Sequence, residues 1–341
     1  MFRVGIIGLG YIGVQHLQKF SDVAGVEVIA VADSNQDNLE NATKSYEIAN
    51  KFNDYNDLLA LNNIDLVVVA LPNYLHARVT IAAFEAGHHV LCEKPMATTV
   101  QDADAMCIAA ERNGRVLSVV KNFRWEFFGP DAFHLRNLIA DGEFGNIYHV
   151  RAQYLRRRTF PPSGYMRWNM SQEESGGGAL IDLGPHMLDL AMWLLDDYTP
   201  QSVNGVTHAA LMNDSPVDDL ASGAVRMASG ASLQVELAWS SNNEAAWSVS
   251  IYGDKGGAKI DAHKPAGQRI TLFTVDADVP TETELAENDL TRAPEASLQE
   301  HVVQRMRAGE TPECSAERAL QVMKVIDGWY RSSRSGAEVV L

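Results

Sequence analysis

FRVGIIGLGYIG, residues 2–13, joins a short apolar run to a glycine-rich turn. The run Val4–Ile7 has the pattern of a buried strand, and Ile12–Phe20 has the apolar spacing of an amphipathic helix. Glycines at positions 8, 10 and 13 lie between the two. This order of strand, glycine turn and helix predicts the first unit of a doubly wound parallel sheet.

The same alternation of strand and helix signals continues to about residue 120. Further strands are predicted at Val26–Ala32, Asp65–Ala70, His89–Cys92 and Val116–Val119, with helices at Asn35–Glu47, Ala77–Ala86 and Val100–Asn113. Parallel strands need long crossovers, and helices supply them. We therefore predict an α/β Rossmann domain that covers residues 1–120.

The pattern changes after residue 120 to longer strands that alternate apolar and polar residues. They are predicted at Ile147–Leu155, Leu220–Met227, Ala231–Trp239, Trp247–Tyr252 and Ile270–Thr274, with helices at Pro130–Ala140, His186–Leu195 and Ala316–Tyr330. Tight turn signals separate neighbouring strands. Residues 121–341 are therefore predicted to form an α+β domain with a large, mainly antiparallel sheet.

Charge and hydropathy exclude several classes of partner. Lys and Arg number 28 against 44 Asp and Glu, a formal net charge of −16, which opposes docking onto nucleic acid or an anionic membrane. The apolar run LVVVAL at residues 66–71 is far shorter than the roughly 20 residues of a transmembrane helix. The sequence shows no secretory signal pattern. We therefore expect a soluble, cytoplasmic protein.

The three cysteines, Cys92, Cys107 and Cys314, are odd in number and widely spaced. They include no C-x-x-C pair, so neither a disulfide framework nor a zinc ribbon is indicated. No metal site is predicted.

The glycine turn at residues 8–13 has the spacing of a dinucleotide-binding turn. Gly8 permits the tight turn, Gly10 lets the backbone approach a pyrophosphate, and Gly13 allows close packing of helix on strand. The pyrophosphate is expected on the N–H groups at the start of the helix, where Tyr11 and Ile12 lie.

Asp33 ends the second predicted strand, twenty positions after Gly13. A carboxylate there accepts hydrogen bonds from the ribose hydroxyls of the adenosine. No Arg occurs between Arg3 and Arg78 to bind a 2′-phosphate, so NAD is favoured over NADP. Ser34 keeps NADP open as the alternative.

Three further segments follow predicted strands of the first domain. They contain Leu71, Pro72, Asn73 and His76; then Glu93 and Lys94; and then Asn122 and Arg124. Ligands of open α/β sheets bind at the carboxyl ends of the strands. We therefore expect all three segments to line one edge of a cleft.

A polar motif in the second domain has helical spacing. Asp182, His186 and Asp189 stand at i, i+4 and i+7, so they share one face if the segment is helical. Pro185 suits the first turn of such a helix, and Gly184 suits a bend just before it.

Together these motifs resemble the Gfo/Idh/MocA oxidoreductases, the family of glucose–fructose oxidoreductase and inositol dehydrogenases. The resemblance rests on GLGYIG, LPNYLHA, CEKP and GGGALIDLGPH, and it extends over essentially the whole chain. It implies that Lys94, Asp182 and His186 are catalytic and that the Lys94–Pro95 bond is cis. It also implies cofactor contacts at the glycine turn and at Asp33, Asn73, His76, Glu93 and Asn122.

The residue types suit the oxidation of an alcohol. His186 is assigned as the base that removes the hydroxyl proton, and Asp182 as the group that orients its imidazole. Lys94 can donate to the substrate oxygen and stabilise alkoxide charge. The expected activity is an NAD(P)-dependent oxidoreductase that transfers a hydride between nicotinamide and a hydroxyl-bearing carbon of a sugar, inositol or related polyol.

Substrate contacts are expected from Lys94, Asp182 and His186, from Arg124, and from the segment that contains Arg156, Tyr165 and Trp168. That segment combines guanidinium groups with aromatic faces, although paired charges at a solvated strand end explain its arginines nearly as well. The apolar alternation of the predicted antiparallel sheet also suits a homodimer or homotetramer interface.

Two other functions stay open at this point. Some relatives use bound NAD transiently and cleave glycosides by oxidation and elimination. A non-catalytic dinucleotide-binding sensor is the other alternative, and the presence of Lys94, Asp182 and His186 argues against it.

Overall fold

Two compact units make up the protein in a computed structural model that describes residues 1–157, 167–211, 216–291 and 295–341. The first unit contains residues 1–120 and 295–320, and the second contains residues 121–294 and 321–341. The chain changes unit after Val120, where the domain boundary is predicted. The units differ from the predicted domains in residues 295–320, which pack with the first unit instead of the second.

The first unit is built on a six-stranded parallel sheet. Its strands are β1 (Phe2–Ile7), β2 (Val26–Ala32), β3 (Asn50–Phe52), β4 (Leu66–Val69), β5 (His89–Cys92) and β6 (Leu117–Val119). Their order is β3-β2-β1-β4-β5-β6, so the direction of winding reverses between β1 and β4. Ligands of doubly wound sheets bind at this reversal, beyond the carboxyl ends of the strands.

Helices connect these parallel strands. They are α1 (Tyr11–Asp22), α2 (Gln36–Thr43), α3 (Tyr55–Leu59), α4 (Asn73–Glu85) and α5 (Val100–Arg112). All four residues of β4 are buried, as continuous apolar strands are when both faces of a sheet are covered. The sequence analysis missed β3 and α3, because three and five residues are too short to show a period.

The second unit begins with helices α6 (Gly129–Ala140), α7 (Gln172–Ser175) and α8 (Ala179–Leu195). Its strands are β7 (Ile147–Arg157), β8 (Pro200–His208), β9 (Leu220–Met227), β10 (Ser232–Ser241), β11 (Ala246–Gly253), β12 (Gly257–Asp261), β13 (Ile270–Asp276) and β14 (Val279–Glu284). The stretch between the predicted strand Ile147–Leu155 and the predicted helix His186–Leu195 contains α7 and the first turns of α8.

Residues 295–341 add α9 (Leu298–Arg307), α10 (Ala316–Ser335) and the short strand β15 (Val339–Val340). Helix α9 packs on α1 in the first unit, which explains why this segment leaves the second. Strand β15 pairs with β8 and completes a nine-stranded sheet of order β14-β13-β12-β11-β7-β10-β9-β8-β15. Strands β7 and β10 are parallel and all other neighbours are antiparallel. The predicted fold class, a Rossmann domain followed by a mainly antiparallel sheet, is confirmed.

The two faces of the nine-stranded sheet differ in chemistry. The apolar face packs against α8, which contacts β7, β9 and β10. On the other face, Glu236 accepts hydrogen bonds from Arg151 at 3.1 Å and Gln153 at 2.6 Å. The apolar alternation, which is predicted to suit a subunit interface, therefore belongs to the face under α8, and the opposite face carries polar side chains.

No helix within the described ranges is long and apolar enough to cross a membrane.

Candidate active site

The three glycines after β1 differ in the space around them. Gly8 has a φ of +92°, and a Cβ on it would overlap the carbonyl oxygen of Ala70. A Cβ on Gly13 would overlap the carbonyl oxygen of Gly8. A Cβ on Gly10 would meet no atom of the described residues within 4 Å. The fold itself requires Gly8 and Gly13, whereas Gly10 borders open space of the kind that a pyrophosphate needs.

The first turn of α1 is suited to bind an anion. Gly10 at the N-cap has no side chain to accept a backbone hydrogen bond, and the first turn contains no acidic residue. Tyr11 and Ile12 are exposed there. The first N–H groups of a helix lack intrahelical acceptors and carry the positive end of its dipole. The residues present therefore fit the pyrophosphate of a dinucleotide.

Asp33 lies beside this turn and is held by the backbone. One carboxylate oxygen accepts the N–H of Leu9 at 2.7 Å, and the other accepts the N–H of Asn35 at 2.8 Å. Ser34 is exposed next to it. A carboxylate has about four acceptor positions, so Asp33 retains capacity for the ribose hydroxyls that its position in the sequence predicts.

The turn after β4 leads directly into α4. Leu71 and Pro72 are half-buried, and Asn73 is buried as the first residue of the helix. The helix begins at Asn73 rather than at the predicted Ala77, so it includes His76.

His76 is fully buried between two turns of the first unit. Its Nε2 lies 2.7 Å from the carbonyl oxygen of Leu71, and its Nδ1 lies 2.8 Å from that of Pro95. Burial lowers the pKa of His76, and the two carbonyl oxygens oppose this effect. The ring of His76, for which a cofactor contact is predicted, thus lies between the carbonyl oxygens of the turn at Leu71 and the turn at Pro95.

Glu93 and Lys94 follow β5, and the Lys94–Pro95 peptide bond is cis, as the resemblance implies. Both residues are half-buried. One oxygen of Glu93 accepts the Lys94 N–H at 3.0 Å, and the other lies 2.9 Å from His16 Nε2. Burial would raise the pKa of Glu93, but His16 and the positive charge of Lys94 hold it below its ordinary value.

His16 and Gln299 complete this arrangement and were missed by the sequence analysis. Gln299 Nε2 lies 3.1 Å from His16 Nδ1, and both side chains are buried. His16 stands three positions after Gly13 on the buried face of α1, which is the one local signal that marks it. Gln299 lies on α9, and no local pattern connects it to Glu93.

In the second unit, α8 carries Asp182 and His186 on one face, as their spacing predicts. The helix begins at Ala179, and Pro185 lies inside it. The predicted start at Pro185 is therefore wrong. A proline within a helix removes one hydrogen bond, and α8 continues through Pro185, with nearly all of its residues buried.

The side chains of Asp182 and His186 have defined neighbours. One oxygen of Asp182 accepts the indole N–H of Trp239 at 2.8 Å. The ring of His186 stacks on Phe123, with centroids 4.2 Å apart and an angle of 11° between the planes. His186 is 8% exposed. Phe123 thus determines the plane of the imidazole, a contact for which the sequence contains no signal.

Arg124, for which a substrate contact is predicted, is fully buried. Its guanidinium donates to both oxygens of Asp189, at 2.9 and 2.7 Å, and to the Tyr198 hydroxyl at 2.7 Å. Lys121 lies 3.3 Å from the same carboxylate. Burial would raise the pKa of Asp189, but the charges of Arg124 and Lys121 hold it below its ordinary value. Arg124 thus neutralises a buried acid.

The remaining predicted residues also lie in the second unit. Asn122 has a buried side-chain oxygen that accepts no hydrogen bond from the described part of the chain. Arg156 lies over the ring of Tyr154 and donates to its hydroxyl at 3.0 Å. Trp168 is half-buried in a short helical turn. Tyr165 lies outside the described residues.

The structure thus groups the glycine turn, Asp33, Asn73, Glu93 and Lys94 at the carboxyl edge of the first sheet. Asp182 and His186 share one face of α8 in the second unit. Among the residues that the structure describes, no group of three His, Cys, Asp or Glu side chains is arranged to hold a metal ion.

Known proteins match this chain in both parts. Residues 2–121 match a model described as an oxidoreductase family with an NAD-binding Rossmann fold, and residues 133–259 match the GFO/IDH/MocA C-terminal domain. D-glucoside 3-dehydrogenase of Escherichia coli is 30% identical, with 99% of this chain and 97% of that protein aligned.

Solved structures resemble the whole chain. Aldose-aldose oxidoreductase from Caulobacter crescentus, complexed with glycerol, is 26% identical with a TM-score of 0.84 and covers 100% of this chain and 99% of its own. Levoglucosan dehydrogenase with NADH and levoglucosan has the same fold, with a TM-score of 0.87 at 23% identity over 99% of each chain. By the match of both domain models and of a full-length relative, the chain belongs to the Gfo/Idh/MocA family of oxidoreductases, with an NAD-binding Rossmann fold in its first part.

Proposed function

We propose that this protein is an NAD-dependent dehydrogenase that oxidises a hydroxyl-bearing carbon of a sugar, inositol or related polyol. The observation that carries this proposal is the imidazole of His186, fixed on Phe123 at one turn from Asp182 on a buried helix. The related D-glucoside 3-dehydrogenase and aldose-aldose oxidoreductase, by their names, act on carbohydrates. Both support a carbohydrate or polyol substrate here.

His186 acts as the base in this proposal. It accepts the proton of the substrate hydroxyl as the carbon becomes a carbonyl carbon. Phe123 holds the ring plane, and Trp239 holds the carboxylate of Asp182, which favours the protonated imidazole. When bound, NAD supplies the acceptor for the hydride that leaves the same carbon.

Lys94 stabilises the substrate oxygen in this proposal. Its ammonium group donates a hydrogen bond to the hydroxyl and offsets the negative charge that develops as the proton leaves. The backbone of Lys94 is held by Glu93, which is held in turn by His16. This support favours a defined direction for the side chain.

Further contacts with the substrate are proposed for Arg156, Trp168 and Tyr165, and a contact with the cofactor is proposed for Asn122. The side-chain oxygen of Asn122 is buried without a donor among the described residues, which suits a hydroxyl or amide of a ligand. Arg156 presents a guanidinium beside an aromatic face, a combination that binds polar rings.

A homodimer or homotetramer is also part of the proposal. The sheet face opposite α8 carries polar residues such as Arg151 and Glu236, together with Tyr252, which is 40% exposed. Interfaces between subunits are often as polar as other surfaces and enriched in Tyr and Arg. Light scattering at micromolar concentration is expected to give a multiple of 37.4 kDa, and a monomer would contradict this part.

The activity is tested with a panel of sugars, polyols and sugar acids, each assayed by nicotinamide absorbance with NAD and with NADP. We expect NADH to accumulate with at least one of them, and NAD to be preferred. Cleavage of a glycoside without net NADH formation would identify the oxidation and elimination reaction instead. Absence of any reaction together with tight NAD binding would favour a sensor.

Variants of two residues test the assignment of roles. Lys94→Ala and His186→Ala are expected to lower turnover by roughly 10² to 10⁴ and to leave NAD affinity nearly intact. Lys51→Ala and His208→Ala, at exposed positions, are the matched controls and should keep normal turnover. Near-normal turnover of either active-site variant would contradict the assignment.

A further inference from the structure

The start of α8 has no local cap. Gly178 occupies the N-cap position and has no side chain that accepts a hydrogen bond. The first residues of the helix, Ala179 to Ile181, are buried, so water does not satisfy their N–H groups. Buried N–H groups of a first turn need acceptors from elsewhere in the protein.

Asp218 supplies most of these acceptors from the segment just before β9. Its two carboxylate oxygens accept the N–H of Gly178 at 2.9 Å and of Leu180 at 2.8 Å. Its backbone carbonyl accepts the N–H of Ala179 at 2.7 Å. Three consecutive N–H groups of the helix start therefore bond to one residue that lies 40 positions away in the chain.

Tyr330 on α10 completes the cap. Its hydroxyl donates to Asp218 at 2.8 Å and lies within hydrogen-bond distance of the Gly178 N–H at 3.3 Å. Burial and the negative charge of Asp218 raise the pKa of Tyr330 well above its ordinary value, so the hydroxyl keeps its proton and remains a donor.

The cap formed by Asp218 and Tyr330 explains the glycine run of the GGGALIDLGPH motif. A Cβ on Gly178 would overlap the backbone of Asp218, and a Cβ on Gly177 would overlap the Tyr330 hydroxyl. The glycines let both groups approach the helix start closely. This explanation accounts for a part of the motif to which the sequence analysis assigns no role.

The next residue, Asp219, connects the cap to Asp182. The carbonyl oxygen of Asp219 accepts the backbone N–H of Trp239 at 2.9 Å, and the indole N–H of Trp239 donates to Asp182 at 2.8 Å. Residues 218 and 219 thus contact both the helix that carries Asp182 and the backbone of Trp239, whose side chain binds the Asp182 carboxylate.

We infer that Asp218 and Tyr330 are positioning residues: they bind the N-terminus of α8 from outside the helix and thereby set the position of Asp182 and His186. This inference rests on the proposed function for its effect on turnover. A displacement of a catalytic group by about 1 Å is enough to lower turnover about 100-fold, so the cap matters for rate as well as for stability.

Asp218→Asn and Tyr330→Phe test the inference. Asp218→Asn places an amide N–H against one of the two helix donors and is expected to lower kcat about 10-fold to 100-fold. Tyr330→Phe removes one donor and should lower kcat by a smaller factor in a chain that still folds. Both should bind NAD with a Kd within about twofold of the unmodified protein, because the glycine turn lies in the other unit.

Asp131→Asn is the matched control. Asp131 is also fully buried in the second unit, and its two oxygens accept the N–H of Gly267 at 2.9 Å and of Arg269 at 3.1 Å. The substitution disturbs a buried carboxylate that likewise accepts two backbone N–H groups, here from a turn before β13 instead of from a helix start. It should lower the melting temperature while kcat stays near that of the unmodified protein. If Asp131→Asn and Asp218→Asn lowered kcat equally, the positioning role would be refuted.

Hydrogen exchange gives a readout that does not depend on the proposed function. Amide exchange of residues 178–183 should accelerate in Asp218→Asn and Tyr330→Phe and stay unchanged in Asp131→Asn. Unchanged exchange in both cap variants would overturn the inference, whatever the substrate. An unmodified protein that bound NAD but oxidised no sugar or polyol would contradict the proposed function alone.

Discussion

Replacing Arg124 by Met tests whether Arg124 forms a structural ion pair or contacts the substrate. The Arg124 guanidinium is fully buried and binds both oxygens of Asp189, which is 2% exposed. Removing one partner of a buried ion pair costs about 3–5 kcal/mol, because the other charge is left uncompensated. Lys121 remains 3.3 Å from the carboxylate in the variant, so we expect a loss of about 3 kcal/mol, at the lower end of that range.

Thermal unfolding measures this loss. About 3 kcal/mol corresponds to a decrease in Tm of about 6–12 °C for a unit of roughly 200 residues, at about 2–4 °C for each kcal/mol. Asp189→Asn should cost more than Arg124→Met, because it leaves two buried cations without a carboxylate. Arg226→Met is the control, since its partner Glu338 and Arg226 itself are both exposed, and its Tm should change by less than about 2 °C.

The same variant decides whether Arg124 contacts the substrate. We expect the KM of the folded Arg124→Met protein for its sugar or polyol to stay within about threefold of the unmodified value, because the guanidinium pairs with the buried carboxylate of Asp189 and supplies no substrate contact in this reasoning. An unchanged Tm together with a KM raised tenfold or more would refute the reasoning and restore the substrate role.

Three further outcomes are expected. Gly10→Ala should keep the Tm of the unmodified protein, because its Cβ projects into open space, and should weaken NAD binding at least tenfold by calorimetry, because that space is where the pyrophosphate is expected. Gly13→Ala should lower the Tm, because its Cβ overlaps the backbone of Gly8. Equal Tm values of the two variants would contradict this prediction. Trp239→Phe removes the indole N–H that donates to the Asp182 carboxylate and should lower kcat about tenfold, the effect expected for the loss of a hydrogen bond to a charged group. An unchanged kcat would exclude a catalytic role for this hydrogen bond. Burial would raise the pKa of Asp189, but its two neighbouring cations hold it below its ordinary value. The contribution of Asp189 to stability is therefore complete above the unfolded-state pKa of about 3.9 and is lost as the pH falls from there through the folded-state pKa. Unfolding curves measured between pH 6 and pH 2 should lack this pH-dependent loss of stability in Asp189→Asn, and identical pH dependence in both proteins would contradict the prediction.

Some features of the protein follow from short stretches of sequence. The strand, glycine turn and helix of residues 2–22 occur where the apolar pattern and the glycine spacing predict them. Asp182 and His186 share a helix face because their spacing of four matches the helical period. These features rest on interactions between residues close in the chain, so local pattern is sufficient.

The start of α8 shows where local pattern fails. Pro185 is a common residue for the first turn of a helix, and the sequence therefore predicts a start near it. The helix begins at Ala179 because Asp218 and Tyr330 bind its first N–H groups. Both residues are distant in the chain, and no signal near Gly178 announces them.

The partners of individual polar residues also depend on residues that are distant in the chain. Arg124 and His76 stand in segments that resemble ligand-binding turns, and the sequence predicts ligand contacts for both. In the structure Arg124 meets Asp189, 65 positions away, and His76 meets the carbonyl oxygen of Pro95, 19 positions away. A buried charge or imidazole binds whichever partner the fold places beside it, because leaving it without one costs several kcal/mol. Sequence alone therefore determined the family, the fold class and the residue types at the site, whereas only the tertiary structure decided which partner each buried polar side chain meets.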